Sequence, residues 1–154
     1  MKALVVYYSL SGATKKAAES ISQILKCDIE EILDMKNRKG PLGFLSGGRD
    51  AMKKQLTQIA TIKKNPANYD LLIVGTPTWA GFMAPAVRTY LSENKNSLKK
   101  IAVFSTHGGD NAGNVFPDLE SFIGKAPIAT LDLQTKGTMS ANSQEKIAKF
   151  CKSL

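Results

Sequence analysis

Three strands of this chain have no polar face, and that restricts its fold more than any other feature. Leu4-Val5-Val6-Tyr7-Tyr8, Leu71-Leu72-Ile73-Val74 and Ile101-Ala102-Val103-Phe104 lie inside candidate strands Ala3–Tyr8, Tyr69–Gly75 and Lys100–Thr106. A strand without a polar side has to be covered twice, as in a parallel sheet whose crossover helices lie on both faces. Asp28 to Leu33 and Ile128 to Leu133 are weaker strand candidates. Helix signals fall between them. Ala17, Ile21, Ile24 and Leu25 predict an amphipathic helix over 13–26. Pro85 opens a second helix to about Glu93, and Phe116 to Gly124 is a third. Asn142 with Glu145 is a capping box for a last helix, in which Ile147, Phe150, Cys151 and Leu154 share a face. The alternation predicts an α/β three-layer sandwich, with a five-stranded parallel sheet between two helical layers and right-handed crossovers.

At 154 residues the chain is expected to be one domain, 1–154. Hydrophobic residues at 43% and charged residues at 22% exclude collagen-like and largely disordered chains. No apolar run is long enough to span a bilayer. Cys27 and Cys151 form neither a metal-ligand spacing nor a disulfide framework, so a reduced, cytoplasmic setting is expected.

One connection, residues 34–68, is longer than an ordinary crossover. It contains Gly40-Pro41-Leu42-Gly43-Phe44-Leu45-Ser46-Gly47-Gly48, and the sequence predicts a loop there followed by a helix from Arg49 to about Thr61. It also concentrates the charge. Lys36, Arg38, Lys39, Arg49, Lys53, Lys54, Lys63 and Lys64 face Asp50 alone, so 36–64 carries +7 of the net +8. Such a segment is either a solvated face or a field that draws acidic partners. Phe44 is its only aromatic residue, so no stacking platform for nucleic acid is expected.

Ligands of open parallel sheets bind outside the carboxyl ends of the strands. After the first strand comes Ser9-Leu10-Ser11-Gly12-Ala13-Thr14, with three hydroxyls, no carboxylate and a helix start, all suited to a phosphate. It is neither a nucleotide-triphosphate loop nor a dinucleotide fingerprint. After the third strand comes Thr76-Pro77-Thr78-Trp79-Ala80-Gly81-Phe82. Trp79, the only tryptophan, is placed to stack on a planar ring or to plug the core. After the fourth strand, Thr106-His107-Gly108-Gly109 opens a glycine-rich loop. A lone histidine is poor evidence for a metal site, and no serine shows a nucleophile elbow.

Together the three loops resemble the flavodoxin family, over essentially the whole chain. The resemblance implies sheet order 2-1-3-4-5 and an FMN cofactor. Ser9, Leu10, Ser11, Gly12, Ala13 and Thr14 would hold its phosphate. Pro77, Thr78, Trp79, Ala80, Gly81 and Phe82, with Thr106, His107, Gly108 and Gly109, would line its ring. A backbone carbonyl at Trp79, Ala80 or Gly81 would accept the N5 proton. The short connection after the last strand is similar to short-chain members. Typical members are acidic, whereas this chain is basic; and Ala13 stands where many carry asparagine. The implied role is low-potential electron transfer between redox partners, such as ferredoxin-like donors or an acidic-surfaced oxidoreductase, with no catalytic residue and no metal. The alternative is a small FMN-dependent NAD(P)H or quinone reductase, or a flavodoxin-like oxidase.

Overall fold

The computed structural model describes residues 1–136 and 140–154. In chain order the elements are β1 (Ala3–Tyr7), α1 (Ala13–Leu25), β2 (Asp28–Glu31), α2 (Gly40–Met52), β3 (Leu71–Trp79) and β4 (Phe82–Met83). There follow α3 (Pro85–Asn94), β5 (Lys100–His107), α4 (Val115–Ile123), β6 (Thr130–Gln134) and α5 (Ala141–Lys152). The five parallel strands run in the order β2-β1-β3-β5-β6, as the resemblance implies, and β4 is a short antiparallel addition to β3.

Period-two alternation along the doubly buried strands divides the core. Leu4, Val6 and Tyr8 with Leu72 and Val74 pack against Tyr90, Leu91 and Leu119 on one face. Val5 and Tyr7 with Ile73 and Phe104 pack against Ile21, Ile147 and Phe150 on the other. Each large buried apolar side chain contributes about 1.5–3 kcal/mol. The neighbours Gly75 and Phe104 are matched by size, since a Cβ at Gly75 would stand 2.2 Å from the Phe104 ring. Cys27 and Cys151 are free thiols, and burial pushes both up, Cys151 to about 11. Among the described residues no helix is long and apolar enough to cross a membrane.

Three sequence expectations need correction. The predicted loop at 40–48 is helical, and the helix ends at Met52 instead of running to Thr61. The last helix is capped by Ser140, whose side chain accepts the Ser143 N–H at 3.2 Å, so Asn142 lies inside the first turn. β3 extends through Trp79, which places Thr76, Pro77, Thr78 and Trp79 in the sheet.

α2 is held by buried charge. The Arg38 guanidinium donates to Asp34 at 2.9 Å and to Asp50 at 2.6 Å, with its own side chain and that of Asp34 almost wholly buried. Lys36 reaches Asp50 at 2.9 Å. Burial opposes ionisation of Asp50, but the bonds from Arg38 and Lys36 outweigh it and hold the carboxyl down at about 2. The segment after α2 is tied to α3: the Thr57 N–H donates to the Thr89 hydroxyl at 2.9 Å, which donates back to the Thr57 carbonyl at 2.8 Å.

Candidate functional site

The β1–α1 loop ends on Gly12, the N-cap of α1, with φ of 96°. That left-handed conformation favours glycine. No side chain caps the helix and its first turn carries no acid, so the N-terminal N–H groups and the helix dipole are left for an anion. The Ser9 hydroxyl accepts the Gly12 N–H at 3.1 Å, which bends the loop over the helix start. Thr14 is buried, and its hydroxyl shares a 2.7 Å hydrogen bond with that of Thr106. Ser9, Leu10, Ser11, Gly12, Ala13 and Thr14 therefore form one turn at the carboxyl end of β1, locked to the end of β5.

The β3–β4 connection is a two-residue hairpin. Trp79 faces Phe82 in register, and the central residues Ala80 and Gly81 have φ of 49° and 83°. Two positive φ values are the type I′ requirement. Gly81 meets it without strain, whereas Ala80 carries a cost of about 1–2 kcal/mol. The Gly81 carbonyl accepts the Asn114 N–H at 2.7 Å. A Cβ at Gly113 would stand 2.8 Å from the Gly81 Cα. The hairpin and the loop after β5 are thereby pressed together through Gly81, and the carbonyls of Trp79 and Ala80 take part in neither contact. Trp79 is half-buried, edge-on to Tyr8 at 5.5 Å and in contact with α2, where a Cβ on Gly47 would come within 2.9 Å of its ring. Burial, with the Asp34 carboxylate adding, pushes the Tyr8 phenol up to about 12, so it is neutral at physiological pH.

The loop after β5 is braced from β6. The His107 ring is buried, with Nδ1 on the Gly109 carbonyl at 3.0 Å and Nε2 facing Asp132 at 2.5 Å. Asp132 also accepts the Ala112 N–H at 3.2 Å, and the Gln134 amide donates to the Gly109 carbonyl at 2.7 Å. The sequence singled out His107 as part of the loop but missed Asp132 and Gln134. Their signal was alternation in β6, where residues beside buried Leu131 and Leu133 point to the loop. Pro77, Thr78, Thr106 and His107 are strand residues rather than loop residues, and the ladder sets Pro77 beside Thr106.

Three loops at one sheet edge, a free helix N-terminus and a strained hairpin turn form a single cradle. A family model described as flavodoxin matches residues 2–152. The chain belongs to the flavodoxin family. A flavoprotein from Lactobacillus acidophilus solved in complex with FMN is 27% identical, with a TM-score of 0.75 over 84% of this chain and 91% of that one. A structure from Bacteroides eggerthii assigned to a flavoprotein is 22% identical, with a TM-score of 0.79 over 98% and 96% of the two chains. Oxidised flavodoxin 1 from Bacillus cereus is 19% identical, with a TM-score of 0.60 over 99% and 96%.

As a flavodoxin-family chain, this one differs from the acidic pattern at its 36–64 insertion, and the structure sorts that charge. Arg38 and Lys36 are bound into the Asp34–Asp50 cluster. Lys54 pairs with Asp118 at 3.1 Å, beside the buried Arg88–Asp118 pair. Arg49 is exposed and only 3.4 Å from Asp50. Much of the segment's charge thus serves the fold; of the rest, Lys39 and Lys53 flank the two ends of α2, while Lys63 and Lys64 lie beside β2, where their N–H groups donate to Glu30.

Proposed function

We propose that the chain is an FMN protein that passes electrons between redox partners. The observation that carries this reading is the Gly12-capped start of α1, a monophosphate seat without an acid or a side-chain cap, joined to two linked loops. The seat fits a terminal phosphate, and the apolar, strand-borne loops fit a planar ring. The FMN complex formed by the 27% identical relative supports the same choice.

Ser9, Leu10, Ser11, Gly12, Ala13 and Thr14 hold the phosphate, Thr14 through its N–H while its hydroxyl stays on Thr106. Pro77, Thr78, Trp79, Ala80, Gly81 and Phe82 line the ring with Thr106, His107, Gly108 and Gly109. FMN, when bound, supplies one- and two-electron redox chemistry. The Ala80 carbonyl is the acceptor for a proton at N5, reached by turning the Ala80–Gly81 peptide. Trp79 and its apolar surroundings exclude water and disfavour extra negative charge on the ring. The exposed basic residues around α2 support partners with acidic surfaces, ferredoxin-like proteins or an acidic oxidoreductase. The free thiols support a reducing compartment.

A second reading, a small NAD(P)H or quinone reductase, is favoured by one observation, the apolar cleft beside Trp79. Anaerobic reduction separates the two. A carrier is reduced by a protein donor and oxidises NADPH only when a partner reductase is added. Steady NADPH or NADH turnover by the protein alone would replace the carrier reading with the reductase.

A further inference from the structure

We infer that the cleft between α2 and the Trp79 hairpin is a binding site for a planar aromatic anion. The cleft has a volume of about 450 Å³, within the range of small-molecule sites. Phe44, Leu45 and Met52 line it from α2, and Leu10, Thr78, Trp79 and Ala80, which also belong to the proposed flavin seat, line it from the other side. None of its lining residues comes from the loop after β5, so it opens on the α2 side of the hairpin.

Glycine makes the space. Gly47 lets the helix backbone lie against the Trp79 ring, and a Cβ at Gly48 would meet only the Ala80 Cβ, at 4.0 Å. A larger side chain at 48 would extend from that Cβ into the cleft that Gly48 lines. The wall does not float: Arg38, Asp34 and Asp50 fix α2, and Thr57 with Thr89 fixes the chain behind it. The cleft is therefore a preformed concavity. Phe44 and Leu45 stand 74% and 66% exposed at its edge, apolar surface that a ligand would cover. Trp79 and Phe44 provide aromatic surface for a flat ring.

The charge selects an anion. Arg49 is the only ionisable lining residue. Arg49 makes only a long 3.4 Å contact to Asp50 Oδ1, and Arg38 at 2.6 Å and Lys36 at 2.9 Å share the other oxygen. Three cations thus face the two carboxylates of Asp50 and Asp34, and the cluster beside the cleft keeps a net positive charge. A second copy of this chain is a poor occupant, because it brings the same excess of positive charge to the face.

The test uses 2-naphthoate, with naphthalene-2-carboxamide as its neutral counterpart. Trp79 is the sole tryptophan, so its fluorescence reports binding to the flavin-free protein. Equilibrium dialysis reports binding to the FMN-loaded protein. Saturable binding of naphthoate is expected in both forms, about fivefold tighter than the carboxamide, as for an ion pair near the surface. Arg49→Gln should remove that preference. Gly48→Leu should abolish binding while holding or raising the urea midpoint, since it replaces a glycine inside a helix. Phe44→Ala with Leu45→Ala, both exposed, is a second route to lost affinity if the Gly48→Leu variant fails to fold. Absence of naphthoate binding, equal affinity for the carboxamide, or wild-type binding by Gly48→Leu would overturn the inference. Mutual displacement of naphthoate and FMN would also overturn it, by making the cleft part of the flavin seat. Naphthoate binding by a protein that takes up no FMN would sink the flavin reading and leave this one standing.

Discussion

Two glycines of α2 should respond to alanine with opposite signs. Helix propensity alone gives each replacement about 1 kcal/mol of stabilisation. At Gly48 nothing opposes that gain, because the new Cβ meets only the Ala80 Cβ at 4.0 Å. A net gain of about 0.5–1 kcal/mol follows. At Gly43 the Cβ would stand 2.2 Å from the Arg38 carbonyl carbon and 2.3 Å from its oxygen. Carbon atoms pack at about 3.5–4.0 Å, so the helix has to withdraw by more than 1 Å. That movement stretches the bonds that Arg38 and Lys36 make to Asp50 on the helix, now 2.6 and 2.9 Å. Bonds to charged groups contribute about 1.5–3 kcal/mol each, and a buried ion pair that is broken rather than replaced is costly. Weakening both, less the propensity gain, gives a net loss of about 2–4 kcal/mol for Gly43→Ala. Urea denaturation of the two variants beside wild type measures the difference. If both variants are stabilised alike, α2 is not seated on the Arg38 backbone and the account of the insertion is wrong.

Thr14→Val and Thr106→Val should each cost about 1–3 kcal/mol by leaving a buried hydroxyl unpaired, with the double variant closer to wild type than their sum; a double-mutant denaturation cycle reads this. Asp50, whose carboxyl is held near 2 in the fold against an ordinary 3.8, contributes stability that is full above about pH 4 and lost as pH falls toward 2. Discounted for solvent screening, this is about 1–2 kcal/mol, and a pH series of urea midpoints should lose that component in Asp50→Asn. Lys53→Glu should slow reduction by an acidic protein donor and flatten its salt dependence in stopped-flow, without changing the visible spectrum. Lys54 is unsuited to that test, because a carboxylate there would stand beside Asp118.

Much of the fold was legible because its strongest signals are local. Three strands without a polar face demand two helical layers, while the sheet order was implied only by the family resemblance of the loops, and the structure has that order. The insertion was misread for a physical reason. Gly43, Gly47 and Gly48 look like turn residues, but two of them are contact points, against the Arg38 backbone and the Trp79 ring. Helix formation there depends on a tertiary surface that propensity does not encode. Likewise Ser140 rather than Asn142 caps α5, a choice between neighbouring polar residues that sequence spacing separates poorly. At the site, the order Ser9 to Thr14 marked the turn proposed to hold the phosphate, from its hydroxyls and helix start. The hairpin was less visible, since Ala80 is not a residue that announces positive φ. Asp132 and Gln134 act across two strands on the loop after β5, a relation that exists only once the ladder is formed.

The central claim is that the chain seats FMN on the Gly12 end of α1. Its most direct test is the visible spectrum of the purified protein, with the chromophore released by denaturation and identified by mass. The account predicts a flavin spectrum, FMN as the released species and one FMN per chain. It also predicts that Ser11→Ala weakens FMN binding by about 1–2.5 kcal/mol at an unchanged denaturation midpoint. Recovery mainly of FAD, or a protein that stays colourless after incubation with excess FMN, would contradict it.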